Sequence, residues 1–208
     1  NVGSNPAGIE TVARLDGDEY IINGTKTWIS NGSISDIAVV VVQTDRSKGV
    51  KGICHILVDR EESPYETREL PKMGLRSFPT SELFFNDCRV PKKNLLIPPG
   101  EGLKAILRLF ELPRAMLGVF ATGISQAALD ASINYAKERY QFGKPIGGFQ
   151  LVQEMISDMA IETECARLLT YKALSLLDQG VRCDLETSMA KAYATEVAVR
   201  VTSKAIQI

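Results

Sequence analysis

The feature that most restricts what this chain can fold into is a change of hydrophobic period at Pro98-Pro99-Gly100-Glu101-Gly102. Before this cluster the apolar residues alternate or form short β-branched blocks, the period of strands. After it they recur three and four apart, the period of helices. Proline and glycine together break both kinds of element, so the cluster reads as a domain boundary. The chain is therefore expected to be α+β. An antiparallel β-barrel or sandwich occupies residues 1–97, and an up-down α-helical bundle occupies residues 98–208.

In the first part, residues 9–15 and 19–22 read as strands joined by the hairpin turn Asp16-Gly17-Asp18. Residues 37–42 form a continuous β-branched run, the pattern of a strand buried on both faces. Residues 52–58 and 82–85 are further strands, and Pro64, Pro71, Pro79 and Pro91 mark connectors. In the second part, Leu103, Ile106, Leu109, Phe110, Leu117, Phe120, Ala121, Ile124, Ala128 and Tyr135 trace one helical stripe. Pro113 must kink that helix or mark its true start. A helix over 149–177 turns Val152, Met155, Ile156, Met159, Thr163, Ala166, Leu169 and Ala173 inward, and Gly180 closes it as a left-handed cap. Asp184 is placed to N-cap a last helix that buries Ala190, Ala194, Val197 and Val201 and is still running at Ile208.

Composition narrows the function. Across 208 residues the net charge is −1, with 45% hydrophobic and 24% charged residues. Such balance gives no surface for nucleic acid or an anionic membrane, and no apolar run reaches bilayer-spanning length. Cys54, Cys88, Cys165 and Cys183 are widely spaced and read as reduced, half-buried thiols of a reducing compartment. His55 is the only histidine, and beside Cys54 it lacks further ligands at metal-site spacing.

Residues 22–32, Ile22-Asn23-Gly24-Thr25-Lys26-Thr27-Trp28-Ile29-Ser30-Asn31-Gly32, hold the sole tryptophan. Asn-Gly pairs at both ends favour tight turns. Between them, strict alternation sets Lys26, Trp28 and Ser30 on one strand face, with Thr25, Thr27 and Ile29 on the other. A flat ring beside a hydroxyl suits a planar heteroaromatic cofactor, and equally suits a core hairpin. Between two long helices lies Glu138-Arg139-Tyr140-Gln141-Phe142-Gly143-Lys144-Pro145, followed by Gly147-Gly148-Phe149-Gln150. An arginine beside glycine-bared backbone can hold a pyrophosphate, and Gln150 opens the next helix where the dipole favours an anion. Arg139 can alternatively cap its own helix. Glu111 and Arg114 share a helix face, as a binding pair or a structural ion pair. Gly3-Ser4-Asn5 is a turn, and Lys72-Met73-Gly74-Leu75-Arg76 a polar loop, each weak alone.

As an ordered set these stretches resemble the acyl-CoA dehydrogenase family. The match runs through Gly3-Ser4-Asn5, Asn23-Gly24-Thr25-Lys26, Trp28-Ile29-Ser30-Asn31, Met73-Gly74-Leu75-Arg76, Arg89-Val90-Pro91, Arg139 with Phe142-Gly143, Gln150 and Ala205-Ile206-Gln207. It covers essentially the whole chain. The resemblance implies a helical domain, a middle β-domain and a C-terminal four-helix bundle. The first would be missing here, the second would lack its opening strand, and the third would stop early.

It also implies chemistry: a carboxylate base removes an α-proton from an acyl-CoA thioester, a β-hydride passes to FAD, and electrons leave to an electron-transfer flavoprotein. Residue by residue, Ser4 resembles a hydroxyl meeting FAD and lying near the substrate. Trp28, Ile29 and Ser30 resemble the segment against the isoalloxazine. Arg139, Gln141, Phe142, Phe149 and Gln150 resemble the groups that hold the FAD of a neighbouring subunit, in a homo-oligomer that is a dimer or a tetramer. Glu111 and Arg114 resemble the pair facing CoA. Asn5 stands where aspartate is usual, and Ser30 where threonine is common. In most of the family the base lies beyond Gln207. In a minority it is a glutamate at the position of Pro113, which cannot serve. Glu111 points about 200° away from that position on a helix, at roughly 100° per residue. No catalytic base is assigned. The implied compartment is a bacterial cytoplasm or the mitochondrial matrix. The rivals are an oxidase of the same fold and a non-catalytic member that binds a macromolecule.

Overall fold

The computed structural model describes residues 3–208. It divides into two compact units, the first ending at Leu107 and the second running Arg108–Ile208. In the first unit the strand-period segments pair into one sheet of β1 (Val12–Asp16), β2 (Glu19–Ser30), β3 (Ile37–Gln43), β4 (Ile53–Asp59), β5 (Glu66–Glu69), β6 (Thr80–Pro91) and β7 (Leu95–Ile97). Their order is β5-β6-β2-β1-β3-β4-β7. The pairings are antiparallel, as expected, except for a single parallel contact, Val12 against Gln43, where β1 meets β3. The sheet stays open, with β5 and β7 as edges, rather than closing into a barrel.

One face of this sheet makes the core, with Tyr20, Ile22, Val40, Val42, Cys54, Ile56, Val58, Leu83, Phe85 and Val90 buried together. The run 37–42 is not buried on both faces. Val40 and Val42 point inward, whereas Ile37 and Val39 are exposed. A β-branched run reports strand propensity, but it does not say how many layers cover the strand. β5 and β7 escaped the sequence reading because they are short and polar or edge-placed, and β6 runs well beyond residues 82–85.

Asn23-Gly24 makes no turn. It lies inside β2, where Gly24 has φ 138 and a Cβ would stand 2.8 Å from Thr11 Cα. The glycine is there to let another segment cross closely. Asn23 instead clasps a bulge on β6, donating to Asp87 Oδ1 and accepting from the Asp87 N–H. Asn31-Gly32 does turn, with Asn31 at φ 60. His55 is buried, and its Nε2 donates to the Gly102 carbonyl at 2.9 Å. Cys54, Cys88 and Cys183 are buried free thiols, and Cys165 is an exposed one.

Beyond the glycine-proline boundary run α1 (Gly102–Leu109) and α2 (Glu111–Glu138), then a small hairpin of β8 (Tyr140–Gln141) and β9 (Lys144–Pro145), then α3 (Gln150–Asp178) and α4 (Asp184–Gln207). The helix breaks at Phe110, so Pro113 marks the start of α2, where its missing N–H costs nothing. In α3 the inward row holds, with Met159, Thr163, Ala166 and Ala173 buried. So does the row of α4. Gly180 (φ 68) ends α3 with the paired bonds Gly180 N–H to Leu177 and Val181 N–H to Leu176, the double closure of a left-handed cap. Asp184 is the first residue of α4 rather than its cap. Cys183 holds that position without a side-chain capping bond.

Of the stripe expected on α2, Ala121 is buried and Ala128 packs against the bundle core, but the large members are turned outward. Leu117, Phe120, Ile124 and Tyr135 are exposed, while Ala115, Gly118, Ala121, Thr122, Ser125, Leu129, Ser132 and Ala136 are buried. Small residues at this spacing let α3 and α4 approach α2 closely. A Cβ at Gly118 would stand 2.8 Å from Thr170 Oγ1. Four buried hydroxyls are satisfied within their own helices, Thr122 donating to Gly118, Ser125 to Ala121, Ser132 to Ala128 and Thr170 to Ala166, whereas the buried Thr163 Oγ1 on α3 has no partner among the described residues. One stretch among the described residues, Gly102–Glu138, is long and apolar enough to cross a membrane by composition, contrary to the sequence reading. Its length joins α1 and α2 across the break, and α2 buries its small-residue face within the bundle.

Candidate functional site

In the first unit the candidate surface is built by a bulge. Lys26 pairs with Leu83 and Ile29 with Ser81, so Thr27 and Trp28 together oppose Glu82. Two residues against one break the alternation read from the sequence. Lys26 and Ile29 both fall on the core face, beside Leu83 and Ser81, and Lys26 is separated from Trp28. Trp28 and Ser30 stay together off the core face, both exposed. Trp28 sits at φ 60 and is 67% exposed. A bulky residue in the left-handed region costs roughly 1–3 kcal/mol. Covering the bare two-thirds of its ring would return on the order of 3 kcal/mol. A strained backbone presenting an uncovered indole is the mark of a surface made to be covered.

The bulge is held from several sides. Thr27 Oγ1 donates to Glu82 Oε1 at 3.5 Å, and Glu82 is also gripped by Arg68. The Asn31 N–H donates to Pro79 O at 2.7 Å, and the turn behind it is closed by Ser35 N–H to Asn31 O. Ile29 packs on the core. Ser4 is exposed in a bend just before a short 3-10 turn at Pro6–Gly8.

In the second unit, Arg139 ends α2. Its backbone N–H bonds Tyr135 O, while its guanidinium has no partner among the described residues, so the side chain caps nothing. Phe142 and Gly143 (φ 52 and 77) are the two central residues between the pair Gln141 and Lys144. Two positive φ values are what a type I′ hairpin turn requires. Phe142 is 94% exposed there, its ring edge-on to Phe149 at 6.1 Å. Lys144 Nζ lies 4.3 Å from the Phe149 ring centroid and donates to Gly148 O at 3.0 Å. Gln150 is exposed as the first residue of α3. The loop thus gathers a free guanidinium, an exposed phenyl, bared glycine backbone and a helix N-terminus, each a group that an anionic aromatic cofactor uses.

Glu111 and Arg114 form no ion pair among the described residues, which removes the structural reading of that pair. Arg114 stacks over Phe110 at 5.7 Å, and Glu111 Oε2 lies 4.0 Å from Cys183 Sγ. Burial pushes the Cys183 thiol up, and the Glu111 charge adds to it. Sequence reasoning assigned no role to Lys26. Its Nζ donates to Val41 O at 2.6 Å, and desolvation lowers its pKa to about 8. Period-2 counting grouped Lys26 with Trp28 and Ser30 without saying which face is buried, and the observed register places it beside Leu83 on the core face.

The sheet followed by this bundle defines a flavoprotein dehydrogenase architecture. The structure of butyryl-CoA dehydrogenase from Megasphaera elsdenii matches it with a TM-score of 0.96 at 36% identity, covering 100% of this chain and 55% of that one. Models of the acyl-CoA dehydrogenase middle domain and C-terminal domain match residues 1–88 and 100–208. The chain belongs to the acyl-CoA dehydrogenase family, whose members are FAD-dependent flavoproteins. It is 42% identical over 210 residues to a probable acyl-CoA dehydrogenase, YngJ, of Bacillus subtilis, covering 100% of this chain and 55% of the relative. It is 38% identical over 210 residues to the glutaryl-CoA dehydrogenase of Desulfococcus multivorans, covering 100% and 54%. The chain spans about half the length of these curated relatives.

Proposed function

We propose that this chain is the middle and C-terminal part of an enzyme that dehydrogenates an acyl-CoA thioester between its α and β carbons. The observation that carries the reading is the Thr27–Trp28 bulge, which holds an indole ring out of the core beside the Ser30 hydroxyl. FAD, when bound, supplies the acceptor for the hydride from the β-carbon. The chain's own residues bind and orient. Trp28 offers a flat face that excludes water, and Ile29 fixes the bulge to the core. Ser30 and Ser4 offer hydroxyls, and Ser4 also faces substrate. Residues 1–97 form the flavin and substrate domain, and residues 98–208 the bundle.

Arg139, Gln141, Phe142, Phe149 and Gln150 hold the FAD of a neighbouring subunit. The unpartnered guanidinium supports a pyrophosphate contact, because a fork of donors matches phosphate oxygens. Glu111 and Arg114 face the CoA moiety, and the absence of a mutual ion pair among the described residues leaves each side chain uncommitted to the other. The α-proton goes to a carboxylate that none of the assigned residues supplies. Electrons pass on to an electron-transfer flavoprotein, in a homodimer or homotetramer of a bacterial cytoplasm or mitochondrial matrix. The test uses the full-length protein loaded with FAD and a panel of acyl-CoA esters without oxygen. Bleaching of the flavin band by at least one ester, with slow recovery on admitting air, is the expected result. Rapid recovery in air would make the protein an oxidase, and no bleaching with any ester would overturn the reading.

A further inference from the structure

The strand that carries the candidate flavin surface ends in a turn, and that turn is gripped from the core side of the sheet. After Ser30, residues 31–35 close on themselves: Asn31 O accepts from the Ile34 N–H at 3.1 Å and from the Ser35 N–H at 2.9 Å. The turn curls onto the core face, since a Cβ at Gly32 would stand 2.9 Å from Leu83 Cδ2 and 3.3 Å from Ser81 Cβ. There Ser33 is held at two points. Arg60 Nη1 donates to its carbonyl at 2.8 Å, and its own Oγ donates to Glu69 Oε1 at 2.7 Å. These partners are 27 and 36 residues away in the chain, one just past β4 and the other on β5.

Arg60 is itself firmly seated. Its Nη2 donates to Thr67 Oγ1 at 3.4 Å, its guanidinium lies 5.3 Å from the Tyr65 ring centroid, and its backbone N–H donates to Asp36 O at 2.8 Å. Tyr65 packs in turn against Phe85 at 5.1 Å, and both rings are buried in the core of the sheet. A guanidinium presents its donors in one rigid plane, so it can bond a carbonyl and a hydroxyl at once while its face rests on an aromatic ring. The contacts therefore run from the core, through Arg60, to Ser33 and the closed turn, whose first residue follows Ser30 directly.

This end of β2 is also tied to β6, through the pairs Ile29–Ser81 and Ser30–Thr80 and the bond from the Asn31 N–H to Pro79 O. Ladder bonds lie in the plane of the sheet, so they fix register and leave a strand end freer to tilt out of that plane. The bulge interrupts the ladder just before these pairs, so less of it resists such a tilt. On the outer face Arg68 grips Glu82, which accepts from Thr27. On the core side stand Arg60 and Glu69. We propose that Arg60, with Glu69, is a positioning residue for the flavin: through Ser33 it fixes the tilt of the end of β2, and with it the height at which the Trp28 ring and the Ser30 hydroxyl stand off the sheet. The inference rests on the reading of Trp28 as a flavin contact. Both bonds to Ser33 are charge-assisted, one by a guanidinium and one by a carboxylate, and so are stronger than neutral ones.

The experiment uses the full-length protein as wild type and as Trp28→Phe, Arg60→Met, Arg60→Lys and Ser33→Ala. Arg60→Met keeps an apolar stem and drops the donors, and Arg60→Lys keeps the charge and a donor. Ser33→Ala removes the bond to Glu69 and leaves the carbonyl in place. The FAD dissociation constant is read from flavin fluorescence on release. The position of Trp28 is read in the apoprotein from the ¹⁹F resonance of 5-fluorotryptophan, assigned by its loss in Trp28→Phe. Arg60→Met is expected to weaken FAD about tenfold, the change that ~1.4 kcal/mol produces, and to move the Trp28 resonance. Ser33→Ala is expected to shift both readouts in the same direction by less, and Arg60→Lys to restore part of both. If Arg60→Met lowers the urea midpoint but fails to move both FAD affinity and the Trp28 resonance, the arginine merely braces the turn and the inference is overturned. If Trp28→Phe itself leaves FAD affinity and the flavin spectrum unchanged, the underlying flavin reading fails instead. Should Arg60→Met not fold, Ser33→Ala, which removes a single hydroxyl, decides by the same two readouts, and the inference is overturned unless both move.

Discussion

Two glycines on α2 have opposite surroundings, and substitution separates them. A Cβ at Gly118 would meet Thr170 Oγ1 at 2.8 Å and Cγ2 at 3.2 Å, whereas nothing lies within 4 Å of one at Gly123. Gly118→Ala is therefore expected to lower the stability of the bundle by about 1–3 kcal/mol through overpacking. Gly123→Ala is expected to raise it by roughly 0.5–1 kcal/mol through helix propensity. Urea unfolding followed by circular dichroism distinguishes them, and equal effects would refute the close approach of α2 and α3. Lys26 gives a prediction with a sign in pH. Its folded pKa is lowered to about 8 by desolvation, below its ordinary value of 10.5. Below about pH 8 both folded and unfolded chains carry the proton and the cost of burying the charge is fully present. Between about pH 8 and about pH 10.5 the unfolded chain binds a proton that the folded one has released, so stability rises with pH. The stability of wild type relative to Lys26→Met is thus expected to improve on going from about pH 7 to about pH 10. A flat difference would mean the ammonium is not desolvated.

At the level of elements, the hairpin between α2 and α3 separates structural from binding roles. Phe142 occupies a φ of 52 that a bulky side chain adopts at a cost, and 94% of it is exposed. Phe142→Asn suits the turn better, since asparagine tolerates the left-handed region. The apoprotein is expected to keep or slightly raise its melting temperature while the holoprotein loses FAD more readily. A fall in apoprotein stability with FAD retention intact would make the phenyl structural. The same elements show how far sequence could be read. The strands β3 and β4, though not their pairing, the rows of α3 and α4 and the cap at Gly180 were legible because each obeys one propensity, one period or one φ requirement. The bulge at Thr27–Trp28 was not. A period-2 count assumes equal numbers of residues on both strands, and the extra residue is defined only by its partner. The inward face of α2 was misread because large apolar side chains outweigh alanine, serine and threonine on any hydrophobic scale. In a tightly packed bundle it is the small residues that bring helices together. Asn23-Gly24 was read as a turn by its composition, but its glycine answers to Thr11, a neighbour that sequence spacing cannot show.

For the whole molecule, the two candidate surfaces belong to different units: the Trp28 bulge to the sheet, and the Arg139–Gln150 hairpin to the bundle. On the proposed reading both serve FAD, but from different subunits, so that each cofactor is shared between two chains. Binding and assembly are then one equilibrium, because a ligand that binds only the assembled state stabilises it by mass action. Arg139→Ala is accordingly expected to lose FAD and to loosen the oligomer together, with excess FAD restoring part of both. Mixing gives the sharper test. Neither Arg139→Ala nor Trp28→Ala subunits hold FAD well alone, since every site in either homodimer carries one damaged group. In a hybrid dimer one site takes its bulge and its hairpin from the two undamaged sources, and the other site is damaged twice. Random assortment of equal amounts makes about half of the dimers hybrid, so about a quarter of all sites should regain FAD. Were both surfaces to serve the cofactor of their own chain, every site in a hybrid would carry one lesion, as before mixing, and no flavin would return. Flavin content measured after mixing, alongside native mass spectrometry to show that hybrids form, decides between a shared and a private site.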